Sequence, residues 1–145
     1  MSMSPAEIDK FLEIEFPQVR ETYGDIHVES AGNMKAVVRI AFSDSHLRPG
    51  GTISGPTMMM LTDLCFYVAI LGVIGTAHLA VTTNLNINFL RKPGHADLIA
   101  EAEILKLGKR LAVGQVTIRS EGQTEPVAHS TLTYSIPEGI DRKSL

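Results

Sequence analysis

The sequence predicts an α+β fold in which one antiparallel sheet of five to six strands wraps around a long central apolar helix, with a short helix at the N-terminus. Three observations predict it. From Pro56 to about Gly72 or Gly75 runs a segment whose only formal charge is Asp63. A helix apolar on every side must be covered on every side. Four segments of strand character follow it, and the last three are joined by short turns, which favours an antiparallel meander. Two further strand-like segments precede it. One curled sheet covers most of such a helix, and a second copy of the sheet could cover the rest.

The elements can be justified in order. Ser4-Pro5-Ala6-Glu7 reads as a capping box: Ser4 accepts from the Glu7 amide, Glu7 reaches back, and Pro5 suits the first helical position. Ile8, Phe11, Leu12 and Phe16 keep helical spacing until Pro17 stops the helix. From Asp25 the period becomes that of strands, Ile26–Val28 and Lys35–Phe42, around an Ala31-Gly32-Asn33 turn. Residues 43–55, SDSHLRPGGTISG, are rich in turn formers and read as a loop. The strands expected after the helix are Leu79–Leu90, Asp97–Leu107, Leu111–Ser120 and Val127–Ile136, with turn residues between them.

The chain's 145 residues make one domain, with a core of about 24–137. Apolar residues at 44% and charged residues at 20% exclude a disordered or collagen-like chain. A domain of this size needs no disulfide or metal staple. The single cysteine, Cys65, excludes an internal disulfide framework and a multi-cysteine zinc site. A net charge of -3 disfavours nucleic acid as a partner. The first ten residues lack the cationic start and apolar run of a secretory signal, so a cytoplasmic location is expected. The apolar block of residues 64–77 stops at His78. Fourteen residues is the length of a core helix rather than of a span, so no membrane partner is expected.

Asp63 is the anomaly of the central helix. Removing a carboxylate from water costs several kcal/mol unless it is paired or hydrogen-bonded. It either sits on an exposed stripe or is a catalytic carboxylate at a pocket edge, acting as base or nucleophile. The helix dipole does not explain it, because that effect fades beyond the first turn. The helix entrance, Gly51-Thr52-Ile53-Ser54-Gly55-Pro56, supplies the second element. Amides at a helix N-terminus can hold an anion or a developing oxyanion. Pro56 has no amide hydrogen, which leaves Gly55 and Thr57 as donors, and Gly55 lets a ligand carbonyl approach closely. A plain glycine-rich helix start is the other reading. The segment is neither a P-loop nor a Gly-x-Ser-x-Gly elbow, so a Ser54 nucleophile is not expected.

Taken together, GTISGPTMMMLTD, VTTNLNINFLRKPG, the acid-rich strand start at Asp97–Glu103 and Leu107-Gly108-Lys109-Arg110 resemble the hotdog-fold acyl-CoA thioesterases, nearest to the phenylacetate-degradation type. The resemblance covers about residues 30–136. In that family a Gly-Thr-x-His-Gly-Gly segment enters the central helix, with an Asp eight residues beyond the first Gly of His-Gly-Gly. Gly55 and Asp63 keep that spacing. The resemblance implies that the Gly55 amide polarises the thioester carbonyl, that Asp63 activates water or attacks directly, and that Thr82 helps to place water. It also implies that Gly55 and Asp63 of one site come from different subunits, in a dimer or a dimer of dimers. No cofactor is implied, since the CoA moiety belongs to the substrate. The chain departs from the pattern at three points: Ser54 replaces the motif His, Pro56 replaces its second Gly, and Arg48 stands where an Asn is often found. Ser54 and Arg48 are kept as candidate substrate-binding positions.

The remaining candidates have plainer readings beside them. Thr82, Asn84, Asn86 and Asn88 alternate with Val81, Thr83, Leu85, Ile87 and Phe89. Asn is depleted in strands, so this face is either simply solvated, a subunit contact, or the side of a wet ligand channel. The pairs Arg91-Lys92 and Lys109-Arg110 are solvated by default, yet in an acyl-CoA enzyme they could meet the nucleotide phosphates. Cys65 reads as a small buried residue. His27, His46, His78, His95 and His129 lack metal-ligand spacing, so no metal site is expected. Two other functions stay in view. The missing motif His suggests a non-catalytic acyl-CoA-binding protein on the same fold. His46-Leu47-Arg48-Pro49-Gly50 loosely resembles the loop of hotdog acyl-thioester dehydratases, in which a loop His works with a helix carboxylate.

Overall fold

The computed structural model describes residues 2–75 and 79–138; His78 and the end of the apolar block lie outside the described residues. Helix α1 (Pro5–Glu15) is closed by the expected capping box, with the Glu7 amide donating to Ser4 Oγ at 3.2 Å and the Ser4 amide to Glu7 Oε1 at 3.0 Å. The chain does not go straight into a strand after Pro17. A six-residue helix α2 (Gln18–Tyr23) follows, and Arg20 ties it back to Asp9 of α1 at 2.6 Å and to the Ile26 carbonyl at 3.0 Å. Six residues are too few to display a helical period, which is why the sequence pattern did not reveal α2.

The strands are β1 (Ile26–Gly32), β2 (Lys35–Ile40), β3 (Val81–Phe89), β4 (Leu98–Leu107), β5 (Leu111–Ser120) and β6 (Pro126–Ser135). They form one antiparallel sheet in the order β1-β2-β4-β5-β6-β3. The expected meander is β4-β5-β6. β1 runs on to Gly32, and the first hairpin turns at Asn33 and Met34, both with positive φ.

Helix α3 (Gly55–Ile74) lies in the concave face of the sheet. By length and composition alone it could cross a membrane, but it is buried in the core. Leu61, Phe66, Ile70, Leu71 and Ile74 are at most 2% exposed. Each contributes roughly 1.5–3 kcal/mol relative to an exposed side chain. Small residues beneath it, Ala36, Ala100, Ala102, Ala112 and Ala128, let it sit close to the strands. The Cys65 thiol points at the carbonyls of Ala100 and Ala36, at 3.4 and 3.7 Å, and burial pushes its pKa up, as for an inert core residue. Gly114 in β5 marks the tightest approach, since an added Cβ would collide with the Phe66 ring and the Glu103 carbonyl.

Two irregularities in the sheet matter for the site. β3 is an edge strand, and Leu79, Val81, Phe89 and Leu90 on and around it are 48–67% exposed. A bulge between Thr82 and Asn84 breaks its alternation: Thr82 pairs with Tyr134, and the next pair is Asn84 with Thr133. A bulge inserts one residue and re-aims its neighbours. Thr82 therefore shares the helix-facing side with Leu85 and Ile87, while Asn84, Asn86 and Asn88 stand exposed on the outer face. The strict alternation that would place Thr82 with the three asparagines does not hold.

Candidate active site

Asp63 sits in the middle of α3, eight residues beyond Gly55, and is only partly buried. Its Oδ1 accepts two hydrogen bonds, from Thr82 Oγ1 at 2.5 Å and from Tyr134 Oη at 2.6 Å. Tyr134 Oη also lies 3.0 Å from the Asp63 carbonyl oxygen. These are the lengths of charge-assisted O–H···O⁻ bonds. The Tyr134 ring is held by Phe66 and Tyr67, with ring centroids 5.3 and 6.4 Å away. Burial, then the charge of Asp63 and the hydrogen bond to it, raise the Tyr134 pKa well above that of a free phenol. Tyr134 therefore remains a donor at any ordinary pH.

Asp63, Thr82 and Tyr134 open onto a cavity of about 470 Å³. Its walls are mainly apolar: Phe16 and Val19 come from the α1–α2 corner, Met60, Leu64 and Tyr67 from α3, and Ala80 and Val81 from the start of β3. Glu15 stands at the same wall, and burial together with this acid pushes the Tyr67 phenol up to about 12. Sequence reasoning missed Tyr134 and the N-terminal wall. A signal for Tyr134 existed, because it shares the inward parity of Leu132 and Ser130, and a buried tyrosine hydroxyl requires a partner.

The helix entrance is a separate place. Ser54 is the N-cap of α3: its Oγ accepts from the Thr57 amide at 3.3 Å and lies 2.9 Å from Thr57 Oγ1. The Met58 amide returns to the Ser54 carbonyl at 3.3 Å. Thr57 is thus not the second donor the sequence suggested, because Ser54 occupies its amide. Pro56 has none, so Gly55 carries the outward-pointing N–H of this turn. An added Cβ on Gly55 would lie 3.4 Å from the Phe89 ring, which puts the helix entrance at the far end of β3 from Thr82.

The basic candidates divide between the two ends. Arg91 and Lys92 follow β3 on the Gly55 side and line a shallow cleft with His95 and Glu125. Arg91 pairs with Glu125 at 2.8 Å and donates to the Pro126 carbonyl at 2.7 Å. Lys109 and Arg110 form the β4–β5 turn on the Thr82 side, where the Ile136 amide donates to the Arg110 carbonyl and Arg110 pairs with Glu138. Arg48 is exposed in the loop closed by the Leu47–Ile53 bridge and does not line the Asp63 cavity. His46 is buried with Nε2 2.7 Å from the Tyr23 carbonyl, and it too lies outside the Asp63 cavity. Among the described residues no group of three or more His, Cys, Asp or Glu side chains is arranged to hold a metal ion.

Comparisons with known proteins agree with this architecture. The family model of the thioesterase superfamily matches residues 50–127, slightly over half of the chain and the part that carries Gly55, Asp63 and Thr82. A candidate thioesterase from a Silicibacter species is 39% identical over 93% of this chain and 92% of its own, with a TM-score of 0.81. The N33D variant of the phenylacetic acid degradation protein PaaI from Thermus thermophilus is 26% identical over 82% of this chain and 97% of its own, with a TM-score of 0.69. A Streptococcus pneumoniae protein described as a hypothetical thioesterase, solved with coenzyme A, shares the fold at 20% identity, covering 87% of this chain and 96% of its own with a TM-score of 0.76. No functionally curated protein matches the chain in sequence. On its fold, its family match and its likeness to the Silicibacter protein, the chain belongs to the thioesterase superfamily and has the hotdog fold.

Proposed function

We propose that the protein is an acyl-CoA thioesterase whose site is completed by a second copy of the chain. The observation that carries this reading is the carboxylate of Asp63, anchored by two hydroxyls on the wall of an apolar cavity. The acyl group occupies that cavity. Asp63 acts at the carbonyl carbon directly or through water. Through water, Asp63 takes a proton, the C–O bond forms, the C–S bond breaks, and the proton passes to the departing CoA sulfur. In direct attack a carboxylate oxygen bonds to carbon as the thiolate leaves, and water then hydrolyses the mixed anhydride. Both routes give free acid and CoA thiol. The Streptococcus pneumoniae protein of this fold, solved with coenzyme A, fits such a substrate.

The oxyanion donor is the Gly55 N–H of the second copy, a reading that helix geometry supports. Eight residues at 1.5 Å rise put Gly55 about 12 Å from Asp63 along the same helix, too far for both to meet one carbonyl. The exposed apolar edge of β3 offers the remedy, since an unpaired edge strand is a template for another strand. If β3 pairs antiparallel with its own copy about Leu85, Phe89 falls opposite the partner's Val81, and Gly55, which packs on Phe89, comes beside the partner's Asp63. The same pairing brings Arg91 and Lys92 of one copy towards the partner's Lys109 and Arg110, where CoA phosphates would find cations of both copies. Two-fold pairing of this kind is the commonest oligomer geometry.

The test is thiol release from a panel of aromatic and aliphatic acyl-CoAs, with the wild type beside Asp63→Asn. Turnover by the wild type and its loss in the variant is the expected result. Equal rates remove Asp63 from the mechanism. Saturable CoA-ester binding without turnover by the wild type would instead make the chain a binding protein.

A further inference from the structure

We propose that Tyr134 is a positioning residue which, together with Thr82, decides the reactive oxygen of Asp63: Oδ1 is the anchor and Oδ2 is the oxygen that meets the ester. The inference rests on the thioesterase reading and deepens it. A carboxylate oxygen has about two acceptor sites. Both sites of Oδ1 are filled, by Thr82 at 2.5 Å and Tyr134 at 2.6 Å. Oδ2 receives no hydrogen bond from the described residues, and the side chain faces the cavity. The two donors come from neighbouring strands, at directly paired positions of β3 and β6. Rotating the carboxylate to exchange its oxygens would break both bonds at once. A group held this way is preorganised, which is what orientation at a reacting centre requires.

The Oδ2 assignment fixes the balance of the step. In the water route Oδ2 takes the proton of the attacking water while Oδ1 keeps its two hydroxyl donors, and that proton later leaves Oδ2 for the CoA sulfur. In the direct route Oδ2 forms the bond to carbon as the C–S bond breaks. In both, Tyr134 keeps its own proton and touches no reacting atom.

Tyr134→Phe, Thr82→Val and the double variant test the proposal in the full chain, with the acyl-CoA that the wild type cleaves fastest. The phenyl ring preserves the packing on Phe66 and Tyr67, and circular dichroism verifies the fold. Each single change is expected to lower kcat about 3- to 10-fold, with KM within about twofold, because the acyl cavity is intact and only the aim of the carboxylate is lost. Either donor alone still restrains rotation, so the pair should lose more than the product of the singles, by about fivefold or more. Tyr134→Phe with unchanged kcat overturns the proposal, and so do a loss that appears in KM alone and a double variant that is no worse than the product. A wild type active only while Asp63 is present, and indifferent to Tyr134→Phe, sinks this inference and leaves the functional reading standing. A wild type that cleaves no ester sinks both.

Discussion

The two ends of β3 border two groups of candidate residues built by different physics. At one end the entrance of α3 presents a backbone amide, created by local sequence alone: Ser54 caps, Pro56 lacks a hydrogen, and Gly55 remains. At the other end Asp63 of the helix is held by hydroxyls of two strands, one of them beside a bulge. The first half depends on local backbone geometry, while the second depends on a tertiary arrangement. In the proposed mechanism neither suffices alone, since about 12 Å of helix separates them within one chain.

The largest expected effect falls on the side-chain half. Asp63→Asn should lower kcat by about 10²- to 10⁴-fold, the usual contribution of a positioned acid–base group, with the fold retained. Steady-state assays beside thermal unfolding read both. The backbone half can be broken without touching a side chain. Gly55→Pro removes the amide hydrogen at a position where proline suits a helix, and Ser54 before it is already extended, at φ -71 and ψ 152. The expected loss is about 10²- to 10³-fold in kcat, typical of an oxyanion donor, with a small shift in Tm.

A pH experiment sharpens the comparison further. The Tyr134 pKa in the folded protein lies above its unfolded value, so the folded state keeps a proton that the unfolded state releases. Its contribution to stability is complete below the unfolded tyrosine pKa of about 10 and is lost progressively as pH rises above it. Denaturant titrations from pH 9 to 11 should show wild-type stability falling, and Tyr134→Phe should flatten that fall. Asp63→Asn should let Tyr134 ionise at lower pH than in the wild type, by removing the neighbouring charge, while burial still holds it above a free phenol. A Tyr134 resonance that titrates identically in both proteins would mean that the contact is absent in solution. The smallest effect belongs to Ser54→Ala, which removes a helix cap and should cost about 1 kcal/mol of stability, measured by denaturant unfolding.

The same division explains what could be read in the sequence. The central helix, the capping box, the β4-β5-β6 meander and the anomaly of Asp63 all follow from short-range patterns of charge and period. Gly55 could be singled out as a candidate for the same reason, being local. Thr82 was singled out only through the family resemblance of its strand segment, and its direction was not legible, because one inserted residue in β3 reverses every side chain before it. Tyr134 stands 71 residues from Asp63, and only sheet pairing shows that they touch. The wall formed by Phe16 and Val19 depends on how α1 and α2 dock, which no local period encodes.

The central claim is that one working site takes Gly55 from one copy and Asp63 from another. Mixing the two disabled variants tests it most directly. Gly55→Pro and Asp63→Asn chains, each nearly inactive alone, are unfolded, combined in equal amounts and refolded. If half the dimers are mixed and each mixed dimer regains one intact site of two, about a quarter of wild-type activity should return. A refolded mixture no more active than its parents would show that the two groups do not complement each other across copies, and would contradict the account.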